Sequence, residues 1–437
     1  MHITTKRGAL VIKHRRALAA VGAGVLATVL VAACSSSKKS TDTGTGSSNA
    51  SGSSSGTAPS GPALKVMTIV PLSGNGVVYP QESAGAQATV KWVNANGGVA
   101  GHPLDLEVCD DQNSPNGAAA CGQKAVDDKV VAVVGSFSLY GNSFMTALTS
   151  ASIPYIGPCC PFASQEVASP NSFIFSAGSL ISVGEGIAAG QVNGKTGTVV
   201  AVETASPATD YSNKLIQAGL KSTGFTGTFK PITVSAQATD YAPTVAQATN
   251  GSSTIIVGLG QQQAQAFFPA LASAGGKQHI IGIGGNSLAS SVVKANADAT
   301  NGATVVDYYP PLQSSDKWKP FIDAFAKYAS SDQKNLDISL LGAETTWIGF
   351  KVMKQVGDKM SGDITASAFL ATLQKSTSVD TGGLTPPLDL SKPFSAKSLS
   401  SLYNTSLTFE KVDNGKITWP DSKFIDAGPA FLQYVGG

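Results

Sequence analysis

The chain has 437 residues, 42% hydrophobic and only 13% charged, with 47 glycines and a formal net charge of +2. Setting aside the five basic residues Lys6, Arg7, Lys13, Arg15 and Arg16 leaves 25 basic against 28 acidic side chains, a net of −3. A mildly acidic body of this length has room for two domains with substantial cores, and it excludes a nucleic-acid binder, which needs a basic face. Beyond residue 33 the only histidines are His102 and His279 and no Cys-x-x-Cys spacing occurs, so no metal set is offered.

The first 33 residues read as a signal peptide. A positive n-region without acidic residues precedes an apolar stretch over 17–33, too short and too alanine-rich for a membrane span. Its end, Val31-Ala32-Ala33-Cys34, looks like a bacterial lipobox, which implies a diacylglycerol on the Cys34 thiol. The alternative is an ordinary secretory signal with an incidental cysteine. Residues 34–62 are almost all Ser, Thr, Gly, Ala and Lys, a composition that cannot bury a core. As a flexible coil this tether has a reach of roughly 30 Å. Four cysteines remain, as fits an oxidising compartment. Cys109 and Cys121 are expected to pair, while adjacent Cys159 and Cys160 can stay reduced, cross-pair or form a strained vicinal bond.

The folded chain opens with an apolar strand over 64–70 that stops at Pro71. A Ser/Gly loop follows, then a helix over 82–93 with Ala86, Ala88, Val90 and Val93 on one face, ended by Gly97-Gly98. With a strand over 104–108 this makes a βαβ unit and a parallel sheet. Ligands meet such sheets at the carboxyl ends of the strands, here the loop from Ser73 to Tyr79. The rhythm continues with helices over 117–128 and 144–150 and strands over 130–134, 153–156 and 172–176.

From about Ala177 the alternation restarts. Strands are expected over 197–203, 228–234, 254–259 and 279–283, and helices over 211–222, 240–249 and 264–274. Residues 303–308 read as a return crossover, followed by amphipathic helices over 318–328, 338–356 and 364–373. Residues 381–395, rich in Gly and Pro, read as a surface excursion. Asn414-Gly415 marks a hairpin turn near the end.

The order and spacing of Pro71-Leu72-Ser73-Gly74, Tyr79 and Asn94-Ala95-Asn96-Gly97-Gly98-Val99-Ala100-Gly101 resemble the first segment of the branched-chain amino-acid-binding proteins. Val130-Val131-Ala132-Val133-Val134-Gly135 with a Ser-rich loop extends the likeness, which covers about residues 64–430. The resemblance implies an α/β fold of two Rossmann-like lobes with parallel sheets, joined by three crossovers near 177, 306 and 400: the type I periplasmic-binding fold. The first lobe would comprise 63–177 and 306–400, the second 178–305 and 401–437. It further implies a monomeric, lipid-anchored binding protein on the extracytoplasmic face of the membrane. Such a protein captures a small molecule by lobe closure and delivers it to an ABC permease driven by ATPase subunits. The alternative on the same fold is a lipoprotein that signals to a receptor instead.

The loops at the strand ends offer candidate ligand contacts, of which the resemblance carries over Tyr79 and Asp210-Tyr211; in the first lobe they are Ser73, Tyr79, Ser136, Ser138, Tyr140 and Cys160. In the second they are Asp210, Tyr211, Gln261 and Asn286. The pattern departs at Leu139, where a Ser is usual, and at Cys159-Cys160, where small residues and a hydroxyl are usual. The family's acidic partner for an α-ammonium falls at 284–286, which carries no charge, and this points away from an α-amino acid. No Gly-x-Ser-x-Gly, P-loop or His-Glu-x-x-His is found. Gly282-Ile283-Gly284-Gly285 fails the dinucleotide spacing, and neither catalysis nor a cofactor is expected.

Overall fold

A computed structural model describes residues 58–161, 163–340 and 342–436. The signal segment, Cys34 and the tether to residue 57 lie outside the described residues. Ser60 and Gly61, read above as the end of the tether, are tied down instead. Both donate their backbone N–H to the Gly101 carbonyl, at 3.1 and 3.0 Å.

Two sheets organise the chain. The first contains β1 (Leu64–Val70), β2 (Leu104–Asp110), β3 (Ala132–Val134), β4 (Tyr155–Ile156) and β5 (Ser172–Phe173), ordered β2-β1-β3-β4-β5 and parallel throughout. The second contains β6 (Thr198–Thr204), β7 (Thr228–Val234), β8 (Thr254–Gly258), β9 (His279–Ile283) and β10 (Thr304–Asp307), all parallel. The antiparallel strands β11 (Ser406–Asp413), β12 (Lys416–Thr418) and β13 (Phe424–Asp426) complete it. Residues 303–308, expected as a crossover, therefore supply a sheet strand. Its short β-branched run pairs with β9 rather than leaving the lobe.

Helices α1 (Pro80–Ala95), α2 (Pro115–Asp127), α3 (Gly141–Ser150) and α4 (Ser164–Ala168) flank the first sheet. The second lobe carries α5 (Leu180–Asn193), α6 (Thr209–Ser222), α7 (Ala242–Thr249), α8 (Gln261–Ser273), α9 (Ser290–Ala295) and α10 (Ala297–Thr300). After β10 the chain returns to the first lobe for α11 (Lys319–Tyr328), α12 (Ala343–Gly357) and α13 (Ala366–Leu373), with α11 and α12 packed on α1. It then crosses back for β11 to β13 and α14 (Gly428–Tyr434). The three crossing segments bond to one another. Ile174 N–H donates to Ser401 O, the Tyr308 hydroxyl to Gly178 O, and the Asn404 amide to Phe175 O, all within 3.1 Å.

Packing explains where the sequence misled. Helix α5 lacks a readable apolar stripe because it is buried nearly all round and carries Gly184, Gly186 and Gly190, which weaken helix propensity. Gly186 lets α6 approach: a Cβ there would lie 2.0 Å from the Ile216 carbonyl oxygen. The helix expected over 338–356 starts only at Ala343, after Gly342 at φ 112°. Residues 381–395 are no surface excursion. Leu384, Leu388 and Leu390 are at most 1% exposed within the main core, and Val379 bridges to Leu388. Their irregular spacing hid that burial. At the core's centre Trp347 packs on Trp92 and Phe321, ring centroids 4.8 and 5.5 Å apart.

Candidate functional site

The carboxyl ends of β1, β3 and β4 place three first-lobe loops along one edge. In the first, Ser73 is held by Asp110: its hydroxyl donates to Oδ2 at 2.5 Å and its backbone N–H to Oδ1 at 3.2 Å. Against the cost of burial, hydrogen bonds from Ser73, Leu72 and Gln112 keep the Asp110 carboxyl below its usual range. Tyr79 ends this loop, half-buried, its ring 4.7 Å from that of Phe137. Burial, with Cys160, Cys159 and Glu82 nearby, pushes its phenol up to about 12.

In the β3 loop, the Ser136 hydroxyl accepts the Ile69 N–H at 2.9 Å and so braces β1. Ser138 donates to Asp111 Oδ2 at 2.5 Å and accepts the Tyr140 N–H at 3.0 Å, just before α3. In the β4 loop, Cys159 N–H bonds to Ser136 O at 2.8 Å. Cys160 is partly exposed at φ 46°. Cys159 and Cys160 are free thiols, whereas Cys109 and Cys121 form a disulfide.

The second lobe brings fewer of the expected residues together. Asp210 and Tyr211 are exposed at the start of α6, and burial of part of the Tyr211 ring raises its phenol. The Gln261 amide donates to the Ser291 hydroxyl at 2.5 Å, while Asn286 is part-exposed in the turn after β9. Residues 284–286 carry no charge of their own, but an acidic side chain lies beside them. A Cβ on Gly284 would fall 1.8 Å from Asp307 Oδ2, so the Asp307 carboxylate fills the space that glycine leaves. It comes from β10, one strand over, and accepts the Tyr308 N–H at 2.7 Å.

The pairs Val305–Glu410 and Asp307–Thr408 across β10 and β11 make Asp307 and Glu410 diagonal neighbours on one face. Glu344, in the first turn of α12, is buried, and its proton affinity is raised by burial and then by Asp307. Burial pushes Asp307 up to about 7. Glu82, in the first turn of α1, is fully buried, with both carboxylate oxygens lacking a hydrogen-bond partner among the described residues. It lies against Gly342, which opens α12; a Cβ there would be 2.8 Å from Glu82 Oε2. Burial and then Asp111 raise it well above the usual carboxylate range. Tyr308 and Tyr309 are both buried, ring centroids 6.3 Å apart, and burial raises both phenols.

None of Glu82, Asp307, Glu344, Glu410, Tyr308 or Tyr309 is singled out by sequence reasoning. A carboxylate in a helix's first turn reads as dipole compensation, and one in a strand as a surface position. Asp307-Tyr308-Tyr309 directly after a β-branched run was the one legible signal. Among the described residues no group of three or more His, Cys, Asp or Glu could hold a metal ion, and no helix is long and apolar enough to cross a membrane.

The geometry agrees with comparisons to known proteins. A family model described as "periplasmic binding protein" matches residues 63–394. Among solved structures, a substrate-binding periplasmic protein from Ralstonia solanacearum is 19% identical with a TM-score of 0.63, covering 83% of this chain and 99% of its own. A leucine-binding protein from Thermotoga maritima is 13% identical with a TM-score of 0.61, covering 83% and 99%. An ABC-transporter solute-binding protein from Rhodopseudomonas palustris BisB5, solved with 3,4-dihydroxybenzoic acid, is 17% identical with a TM-score of 0.63, covering 84% and 98%. No curated protein matches. The two parallel-sheet lobes, the three crossings and the matched span together place the chain in the periplasmic binding protein family, of the type that includes the branched-chain amino-acid-binding proteins.

Proposed function

We propose that this chain is the extracytoplasmic solute-binding protein of an ABC importer, anchored by a lipid on Cys34. It captures a small polar metabolite by closing its lobes and presents the closed form to a permease and its ATPases. It acts as a monomer and by binding rather than catalysis. The observation that supports this reading is the pair of α/β lobes whose three crossing segments bond to one another, Ile174 N–H to Ser401 O, the Tyr308 hydroxyl to Gly178 O and the Asn404 amide to Phe175 O. Tyr79 and Tyr140 would cover the ligand from the first lobe, and Asp210, Tyr211, Gln261 and Asn286 from the second. Ser73, Ser136 and Ser138 would fix the loops that meet it. A ligand shifts the open–closed balance only as far as it binds the closed form better.

Thermal unfolding of residues 58–437 against a metabolite panel tests this. At a thousand times its Kd a specific ligand adds about 4 kcal/mol. The same ligand should shrink the radius of gyration in solution scattering. A ligand that stabilises without compaction refutes cleft closure. Replacing Cys34 with Ser should release the protein from the membrane fraction; retention there would refute the anchor.

A further inference from the structure

We propose that Cys159 and Cys160 form a thiol–disulfide exchange site, at which a small disulfide in the surrounding medium oxidises the pair to a vicinal disulfide. The pair lies in the β4 loop, so its oxidation state controls the shape of a loop at the edge where the candidate ligand contacts are gathered. Cys109 and Cys121 are bonded to one another, which leaves Cys159 and Cys160 as the free thiols among the described residues, adjacent in the chain. The loop holds them from both sides. Gly157 N–H donates to Phe173 O and Cys159 N–H to Ser136 O, each at 2.8 Å. Pro158 and Pro161, both buried, bracket the two cysteines and stiffen the backbone around them.

Within that frame the thiols are unequal. Cys159 is 4% exposed, while Cys160, at φ 46°, is partly open to solvent. Burial also raises the Cys159 thiol well above its usual range, so little thiolate forms there. This asymmetry sets the order of events. The Cys160 thiolate attacks one sulfur of the small disulfide and expels the other half as a thiolate, which takes up a proton. Cys159, one residue away, then gives up its proton, attacks the Cys160 sulfur of the mixed disulfide and expels the second half. Two cysteines are oxidised, the small disulfide is reduced to two thiols, and no other oxidant is needed. The bond so formed is a switch rather than a staple. Consecutive Cα atoms are about 3.8 Å apart across a trans peptide, short of the roughly 4.4–6.8 Å that a disulfide ordinarily spans. Strained, accessible disulfides are the readily reduced ones, so external thiols return the pair to the dithiol.

The test uses the full chain carrying Cys34→Ser, in which Cys159 and Cys160 are the only unpaired cysteines. It is treated with oxidised glutathione, quenched with acid and read by peptide mass spectrometry. The peptide holding the pair should lose two hydrogens, keep no glutathione, and regain the hydrogens in dithiothreitol. Adding Cys159→Ser should stop the reaction at a glutathione adduct on Cys160. Adding Cys160→Ser instead should leave the buried Cys159 unmodified over the time in which the intact pair is oxidised. If either variant fails to fold, the mass change of the intact pair still decides. Hydrogen exchange at the Cys159 amide should be faster in the disulfide form, because ring closure pulls on its bond to Ser136 O; equal rates would refute control of the loop. A lasting adduct on the intact pair, no reaction, or modification of the Cys160→Ser protein at an undiminished rate overturns the exchange site. None of these outcomes touches the solute-binding reading, whose own test is separate.

Discussion

Replacing Cys109 and Cys121 by alanine tests what the disulfide contributes. The bond joins the end of β2 to the middle of α2 across a sequence separation of 12. Cross-linking a loop of this size removes chain entropy from the unfolded state worth about 3 kcal/mol. Cys121 is 1% exposed, but Ala fits the small-residue face of α2, so little packing is lost with the sulfur. If the whole body unfolds in one step, an unfolding entropy of about 0.8 kcal/mol/K places the drop in Tm at about 4 °C. If the first lobe unfolds alone, its transition should fall by about 7 °C while that of the second stays fixed. Differential scanning calorimetry of the parent and the double variant distinguishes the two cases. A drop under 1 °C would refute the loop-entropy account. A uniform drop well beyond 10 °C would mean that the bond holds native structure together and does not merely restrict the unfolded chain.

Gly186→Ala should lower the urea midpoint by an amount corresponding to about 1–3 kcal/mol, because its Cβ would meet the Ile216 carbonyl oxygen at 2.0 Å where α5 and α6 touch. An unchanged midpoint would mean that the helices separate freely. Trp347→Ala should cost about 3–5 kcal/mol in the same assay, since the ring is fully buried between Trp92 and Phe321. Without ligand, stability should fall as pH rises from about 5 to 8. Burial lifts Asp307 to about 7 and Glu185 to about 8, so the folded state holds protons that the unfolded chain has already released. Their favourable contribution is complete below pH 4 and lost as pH passes through the folded values. Asp307→Asn and Glu185→Gln should each flatten that slope in Tm against pH, and an unaltered slope would place the proton elsewhere. Maleimide labelling should modify the partly exposed Cys160 quickly and leave Cys159 protected, its thiol pushed well up by burial and then by Cys160; equal rates would refute the distinction.

Much of this architecture is legible in the chain by itself. The apolar run Leu64–Val70 ending at Pro71, the alanine face of α1 and the β-branched stretch before Gly135 fix a βαβ rhythm, because strand and helix periodicity is a local property. Asn414-Gly415, at φ 48° and 76°, turns the hairpin as its sequence requires. The Cys109–Cys121 bond is likewise expected from the chain and present in the fold. Tertiary structure alone decided that Gly284 borrows its carboxylate from Asp307 on the neighbouring strand. It also decided that three leucines in a Gly/Pro-rich stretch are core. The physical reason is the same in each case. Parallel strands and repeated crossings bring together residues far apart in the chain, and the chemistry of a carboxylate depends on which charges the fold sets beside it rather than on its neighbours in sequence.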